Sequence, residues 1–211
     1  LSELATIDIK NAHPAIKDCH FEVACDVDNP LCGPRGASAI FGPQKGATTD
    51  MVEQLDIALA DFAHIVTSQL ALDASLSAGA SAASGMGFGV MTFLQGNLRP
   101  GIDLVTQTVG LADYCQQADL VITGEGRIDG QTVFGKTPMG VLKIAQQYNV
   151  PTIGIAGSLG DNADAIVEQG MAAIFPIVPG VASLDEVLAH ATTNLFNTSV
   201  NIARLLKLNL T

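Results

Sequence analysis

The sequence has few basic residues. It contains 10 Lys and Arg against 21 Asp and Glu, which gives a formal net charge of −11 at pH 7. Proteins that bind nucleic acid or anionic membrane surfaces present a basic patch or stripe, and this sequence has none. Both classes of partner are therefore excluded. A phosphate ligand is compatible with the charge, because it needs only a few local donors.

Long apolar runs are also missing. No stretch of about 18 apolar residues without a charge occurs, so the sequence predicts no membrane-spanning helix. The first residues, LSELATIDIK, lack both the charged start and the apolar segment of a secretory signal peptide. We therefore expect a cytoplasmic protein. Because the chain does not begin with Met, we also expect it to be a piece of a longer protein.

Cysteine and histidine patterns that bind zinc are absent. The four cysteines have no C-x-x-C spacing, and the four histidines are scattered without a paired spacing. In a chain without a signal peptide, the cysteines are predicted to be reduced and mostly buried thiols. The hydrophobic content of 48% is ample for a buried core, in one domain or in two small ones.

The second half of the chain alternates short apolar segments with helical patterns. Strands are predicted at 120–123, 152–156 and 173–178, and helices at 138–148, from about 160 to 170, and over a long final segment that begins with a capping box at Ser183 and Glu186. Such alternation predicts a parallel sheet with right-handed crossovers. Ligands of these sheets bind beyond the carboxyl ends of the strands.

The first half has a different rhythm. A strand is predicted at 21–25, a Gly- and Pro-rich segment at 28–49, and a helix over 51–70 whose apolar residues recur at helical spacing and whose start is marked by Asp50 and Glu53. A tract of small residues follows at 71–89. It suits close backbone packing or the approach of a ligand to the backbone, and the alternative is a flexible linker.

The segment 119–140, DLVITGEGRIDGQTVFGKTPMG, carries the strongest functional signal. A buried strand leads into a polar glycine-rich loop and then into a helix that Pro138 opens with Thr137 as its cap, which is how α/β proteins build anion sites. We therefore predict a phosphate site in this segment. Its predicted residues are Gly124, Gly126, Gly130, Gly135 and Lys136.

Residues 130–137 also satisfy the P-loop pattern G-x-x-x-x-G-K-[ST]. Six residues separate the first glycine from the predicted strand, and Pro138 removes a donor from the first turn of the helix. We therefore interpret the match as a coincidence and disfavour a P-loop nucleotidase. The anion site does not depend on this pattern.

Charged residues alternate in the same loop. Glu125, Arg127 and Asp129 are either a solvated ion-pair group, which contributes little, or a reactive site. In the second interpretation Arg127 or Lys136 binds phosphate or a substrate carboxylate. Glu125 or Asp129 then binds magnesium or acts as a base toward a hydroxyl.

Three residues outside this segment are weaker candidates. Lys45 lies in the glycine-containing loop 41–47, where a simple turn before a helix is equally consistent. Asp26 follows a strand and either binds metal or substrate or terminates the strand in a turn. Ser158 either donates a hydrogen bond to an anion or starts a helix.

Several segments, in order along the chain, resemble the glycerate kinase family, specifically the type one bacterial glycerate 2-kinases. They are VACDVDNPLCGP, IFGPQKGAT, the GMG tract, LRPGID, DLVITGEGRIDGQTVFGKTP and IAGSLG. The resemblance implies transfer of the γ-phosphate of ATP to the 2-hydroxyl of D-glycerate, with Mg²⁺. It also implies two α/β domains, with residues 1–100 in the inserted domain and residues 101–211 forming the C-terminal half of a Rossmann-like domain with a parallel sheet.

The chemical demands of such a transfer guide the assignment of the candidate residues. We predict Glu125, Arg127 and Asp129 as catalytic residues and Asp26 and Asp129 as metal ligands. The residues expected to bind the nucleotide are Gly124, Gly126, Gly130, Gly135, Lys136, Lys45 and Ser158.

Two departures from the family pattern matter. The chain matches only the C-terminal part of the family, so we expect it to be inactive alone, and a noncatalytic module that binds a phosphorylated metabolite is the alternative. A homo-oligomer is left open. In addition, Ser84 occupies a position where family members tend to have glycine, and a positive φ there would strain the backbone.

Overall fold

A computed structural model describes residues 1–208 of the chain. The chain forms two compact units, Leu1–Leu104 and a second unit that begins at Val105. The assignment of these parts to an inserted domain and to half of a Rossmann-like domain stays a prediction. Within residues 1–208, no helix is long and apolar enough to cross a membrane.

The first unit contains a two-stranded parallel sheet and three helices. Its strands are β1 (Glu22–Ala24) and β2 (Asn97–Arg99), and its helices are α1 (Ala37–Phe41), α2 (Thr49–Leu70) and α3 (Ala82–Phe93), with single 3₁₀ turns at Pro14–Asp18 and Pro43–Lys45. A further helix, α4 (Gly101–Thr108), contains Leu104, the last residue of the first unit. In the sheet, Val23 pairs with Leu98.

The long helix α2 forms where the apolar spacing predicts it, but it begins earlier. Thr48 is the N-cap, and its hydroxyl accepts a hydrogen bond from the Met51 N–H at 3.3 Å, so Asp50 and Glu53 are not the start signal. The C-terminal half of the stripe packs in the core, where Val66 is buried and the Phe62 ring meets the Phe88 ring edge to face at 5.5 Å. This packing holds α2 against α3.

The small-residue tract forms a turn and the helix α3, and it is not a linker. Ala83, Ser84 and Gly85 interrupt the helix with positive φ values of 47°, 61° and 102°. The expected positive φ at Ser84 is confirmed. Ala83 shares it, although nothing in the sequence marks that residue.

The second unit is built on a three-stranded parallel sheet of order β3-β4-β5. Its strands are β3 (Val121–Ile128), β4 (Thr152–Leu159) and β5 (Ala173–Pro176), and its helices are α5 (Leu111–Cys115), α6 (Thr137–Gln147), α7 (Ala165–Glu168), α8 (Leu184–Ala189) and α9 (Ala191–Leu206), with a 3₁₀ turn at Thr132–Phe134. The prediction of an α/β protein with parallel sheets and flanking helices is confirmed.

Both β3 and β4 extend further than predicted. The segment GEGRI belongs to β3, where Glu125 pairs with Ala156 and Arg127 pairs with Ser158 of β4. Gly124, Gly126 and Ser158 are therefore strand residues, and the predictions of a loop after residue 123 and of a helix start at Ser158 are wrong. Backbone pairing along the parallel ladder outweighs the low strand propensity of glycine here.

The helix after the glycine-rich segment begins one residue earlier than predicted. α6 starts at Thr137, Lys136 is its N-cap, and Pro138 lies in the first turn. Buried residues of α6 and β3, including Leu142 and Ile128, pack with Met171 into the main core of the unit. This core holds the carboxyl end of β3 in place.

The segment predicted to be one long final helix forms two helices, α8 and α9. The capping box is confirmed, since the Ser183 hydroxyl accepts from the Glu186 N–H and the Glu186 carboxylate accepts from the Ser183 N–H. The helical path then breaks at His190, which has φ −105° and ψ 8°, and α9 starts afresh. Along these two helices, the apolar side chain of Ile202 is buried, whereas those of Leu184 and Leu188 are exposed.

The cysteines are free thiols but only partly match the predicted burial. Cys115 is buried and Cys19 is exposed, with the other two between. Burial, together with the nearby Asp56 carboxylate, raises the pKa of the Cys32 thiol to about 11. That thiol is therefore protonated at neutral pH.

Candidate functional site

A cleft of the second unit, called the large cleft below, has a volume of about 790 Å³. It is lined by residues 122–126 of β3, residues 155–158 of β4, Ile177, Val178 and Ala182, and one face of α8 and α9. Four predicted site residues thus share one cleft: Gly124, Glu125, Gly126 and Ser158. Its remaining walls are mostly apolar, and among residues 1–208 Glu125 is the one charged residue that lines it.

Two glycines of β3 face this cleft for different reasons. A Cβ at Gly124 would collide with the carbonyl oxygen of Ile155, so glycine is required there by the close approach of β4. A Cβ at Gly126 would meet nothing within 4 Å. Because the protein leaves that space empty in the lining of the cleft, a ligand can approach the backbone at Gly126.

Glu125 is held by a buried hydroxyl. The Thr132 hydroxyl donates to Oε1 of Glu125 at 2.8 Å and accepts from the Asp129 N–H at 3.1 Å. Thr132 is fully buried, and its own N–H bonds to the carbonyl oxygen of Asp129 at 2.9 Å. The turn after β3 is thereby tied to the carboxylate of Glu125, a residue of the strand that lines the large cleft.

Beyond the end of β3, three charged residues form what we call the charged cluster: Arg127, Asp129 and Lys136. The Asp129 carboxylate lies 3.3 Å from Lys136 Nζ and 3.6 Å from Arg127 Nε. The Arg127 guanidinium also lies over Gly160, where a side chain would displace it. The cluster gathers two cations around one carboxylate that is 22% exposed.

The environment of Asp129 favours its ionised form. The Gln131 N–H donates to Oδ1 at 2.9 Å, and this bond, followed by the Lys136 ammonium and the Arg127 guanidinium, lowers the pKa of the carboxyl below its usual range. A carboxylate whose pKa is lowered is a weaker base than an ordinary one. The geometry therefore counts against the expectation that Asp129 acts as a base.

The remaining glycines of the predicted phosphate loop hold the loop in shape. The Gly130 N–H bonds to the Asp161 carbonyl oxygen at 2.9 Å, and Gly135 takes a positive φ of 99° directly before Lys136. Since β3 ends at Ile128, only Asp129 separates the strand from Gly130, and the predicted six-residue gap is wrong. Neither Gly130 nor Gly135 lines the large cleft.

The first unit has its own cleft of about 340 Å³, called the small cleft below. It contains the other two predicted residues, Asp26 and Lys45, and also Ser84. Lys45 Nζ donates to the Ser84 hydroxyl at 2.6 Å. Oδ1 of Asp26 accepts from the Gly101 N–H at 2.8 Å, so this carboxylate lies at the start of α4.

Comparison with known proteins identifies the family. A profile described as "Glycerate kinase family" matches residues 1–207. A glycerate kinase of Bacillus subtilis (strain 168) is 48% identical over 208 residues, which cover 99% of this chain and 54% of that protein. A glycerate 2-kinase of Escherichia coli (strain K12) is 44% identical over 210 residues, which cover 100% and 55%.

This chain belongs to the glycerate kinase family. A crystal structure of a protein from Salmonella typhimurium LT2, described as a candidate glycerate kinase 2, matches with a TM-score of 0.83 and 47% identity, over 98% of this chain and 53% of that one. The resemblance inferred from the sequence motifs is therefore confirmed. The chain spans about half the length of the curated relatives it matches.

The family assignment agrees with the interpretation of the P-loop match at residues 130–137 as a coincidence. What the pattern shares with a P-loop is local: a strand, a glycine, and a lysine before a helix. Here the lysine points its ammonium at Asp129, and a 3₁₀ turn occupies the middle of the segment.

Magnesium ligation by Asp129 does not fit this geometry. Its carboxylate already accepts from a backbone N–H and lies against two cations, which compete with a metal ion. Among residues 1–208 there is no group of three or more His, Cys, Asp and Glu residues placed to hold a metal. Asp26 belongs to the first unit, where it lines the small cleft, and its ligation of a metal stays a prediction.

Sequence reasoning missed Thr132. It is an unremarkable residue within the P-loop-like pattern, and the signal that could have found it is its spacing from Glu125. Thr132 follows Glu125 by seven residues. This spacing indicates a contact only when the extent of β3 is known, and the sequence alone does not define where β3 ends.

Proposed function

We propose that this chain contributes the large cleft and its carboxylate to an ATP-dependent glycerate 2-kinase. The observation that supports the proposal is the convergence of Gly124, Glu125, Gly126 and Ser158 on one cleft, beside the charged cluster. The family membership of the chain supports the proposed reaction, in which the γ-phosphate of ATP passes to the 2-hydroxyl of D-glycerate. ADP and 2-phosphoglycerate are the products.

The large cleft suits the nucleotide. Its apolar walls fit a purine base, and the open backbone at Gly126 and the Ser158 hydroxyl offer hydrogen bonds to sugar or phosphate oxygens. Lys136 and Arg127 provide positive charge for phosphate or for the carboxylate of glycerate. Lys45, on the small cleft of the first unit, stays a proposed hydrogen-bond donor to a phosphate group.

Glu125 is proposed to act as the base. It accepts the proton of the glycerate 2-hydroxyl while that oxygen bonds to the γ-phosphorus. The bond from the γ-phosphorus to the bridging oxygen breaks, and its electron pair leaves with ADP. Asp129 has a different task in this scheme, because it keeps Arg127 and Lys136 together at the end of β3.

Magnesium supplies charge neutralisation to nucleotide phosphates in kinases, usually through one or two carboxylates and the phosphates themselves. Asp129 does not fit that role here, and no step above depends on the ion. Asp26 is the remaining predicted ligand.

The test compares this chain alone with a completed chain, in which it is joined to the part of the Bacillus subtilis relative that it does not span. We expect ADP release that depends on D-glycerate from the completed chain, and none from this chain alone. A completed chain that binds ADP but releases none from MgATP and D-glycerate would favour the alternative, a noncatalytic module that binds phosphorylated metabolites.

A further inference from the structure

We propose that Thr132 is a positioning residue that holds the Glu125 carboxylate for proton transfer. The proposal rests on the proposed function, in which Glu125 is the base. It starts from burial: Thr132 is fully buried, and its hydroxyl is one of the few polar side-chain groups in the interior of the second unit. Because a buried hydroxyl is normally hydrogen-bonded, the groups that bond to the Thr132 hydroxyl indicate its role.

The hydrogen bonds fix the direction of the hydroxyl proton. The Asp129 N–H has to donate, so it occupies a lone pair of the Thr132 oxygen at 3.1 Å. The single hydroxyl proton is then directed at Glu125 Oε1, 2.8 Å away. Hydrogen bonds to an ionised carboxylate are about twice as strong as neutral ones, so this bond restrains the Glu125 side chain.

The backbone around Thr132 prevents the hydroxyl from drifting. The Thr132 N–H donates to the Asp129 carbonyl oxygen at 2.9 Å, and Thr132 opens the 3₁₀ turn Thr132–Phe134. Residues 129 and 132 are thus joined in both directions. Oε1 of Glu125 is anchored to this closed turn, and Oε2 lies outside the Thr132 bond.

The position of Glu125 on a regular strand adds a second restraint. Glu125 pairs with Ala156 in the β3–β4 ladder, so its Cα is fixed by the sheet and its carboxylate by Thr132. A side chain held at both ends loses little freedom when substrate binds, which favours a productive geometry.

The experiment measures kcat and KM of the completed chain carrying Thr132→Val, Thr132→Ser, Glu125→Gln and the Thr132→Val/Glu125→Gln pair. We expect Thr132→Val to lower kcat about tenfold with little change in KM for ATP, since a misplaced base loses part of its effect. Thr132→Ser keeps the hydroxyl and should restore most of kcat. In the Glu125→Gln background, Thr132→Val should lower kcat no further.

Thr152→Val is the matched control. Thr152 is 1% exposed in the same sheet, and its hydroxyl donates only to the Val150 carbonyl oxygen, at 3.4 Å. The control carries the cost of a buried Thr→Val change without touching Glu125, so its kcat should remain within about twofold of the parent value. Unfolding midpoints of both Val variants are recorded alongside.

Three results would overturn the proposal: equal losses for Thr132→Val and Thr152→Val, no rescue by Ser, or a further loss of kcat in the double variant equal to that in the single one. If Thr132→Val fails to fold, Thr132→Cys replaces it, and its weaker donor should give a smaller loss of kcat. Crystal structures of this chain test the contact without turnover: Glu125 should move in the variant lacking a hydroxyl, and an unmoved Glu125 contradicts the proposal even if the kinase activity itself is absent.

Discussion

The large cleft and the small cleft are held open by different means. The small cleft of the first unit is bordered by Ala83 and Ser84, both with positive φ, and by the exposed Lys45 side chain. The large cleft is lined by regular parallel strands, and the carboxylate of its lining residue Glu125 is fixed by a buried hydroxyl. Strained backbone shapes the first, and the hydrogen-bonded ladder shapes the second.

This difference has consequences for substitution. On the small cleft, a change that accommodates the left-handed backbone should stabilise the first unit. On the large cleft, adding even one methyl group to β3 should destabilise the second unit where β4 lies close, and should affect only the ligand where it does not. The following expectations separate the two cases.

The largest effect is expected for Glu125→Gln on the large cleft. Loss of the proposed base should lower kcat of the completed chain by about 10²–10⁴-fold. Asp129→Asn is the matched change in the charged cluster, and it should mainly raise KM, because Arg127 and Lys136 lose their common partner. Steady-state kinetics compare the two, and a greater loss of kcat in Asp129→Asn than in Glu125→Gln would exchange their roles.

Gly124→Ala and Gly126→Ala test the two glycines of β3. The first should lower the free energy of unfolding by about 1–3 kcal/mol, because its Cβ overlaps the Ile155 carbonyl oxygen. The second should leave stability nearly unchanged and weaken ADP binding, because its methyl group enters the large cleft. Denaturant titration and calorimetric titration with ADP measure both. Undiminished ADP affinity in Gly126→Ala would place the nucleotide elsewhere.

A smaller effect is expected at the small cleft. Ala83→Gly should raise the free energy of unfolding by up to about 1 kcal/mol, because alanine is strained at φ 47° and glycine is not. Ala60→Gly, at an exposed position in the interior of α2, should lower it by about 1 kcal/mol through the poor helix propensity of glycine. Equal signs for the two changes in denaturant titrations would refute the contrast.

The smallest effect concerns acid. The pKa of Asp129 is lowered in the folded chain, first by the Gln131 N–H and then by Lys136 and Arg127, so its ionisation stabilises the fold above its ordinary pKa of about 3.9. That contribution is lost as the pH falls through the lowered value. Asp129→Asn should therefore be less stable than the parent at pH 7, and the gap should close in strong acid. A gap that widens below pH 4 would contradict this sign.

Local patterns in the sequence predicted much of the fold and part of the site. Alternating strands and helices in the second half gave the parallel sheet, because the spacing of apolar residues and the capping box at Ser183 are local features. The positive φ at Ser84 could be predicted because family members tend to have glycine at that position. The motifs also identified the family correctly.

The rest depended on contacts that lie far apart in the sequence. The glycines of GEGRI argue for a loop until β4 is present, since only the partner strand makes Gly124 a necessity in a ladder. The break at His190 interrupts a pattern that one continuous helix would also satisfy. The role of Thr132 follows from a turn that closes only when β3 runs on to Ile128.

The most direct test is phosphorus NMR of the completed chain with MgATP and D-glycerate, run beside its Glu125→Gln variant. The account predicts the resonance of 2-phosphoglycerate, growing with ADP in the parent and strongly slowed in the variant. A 3-phosphoglycerate signal would contradict the proposed hydroxyl, and equal rates in the two proteins would contradict the role of Glu125.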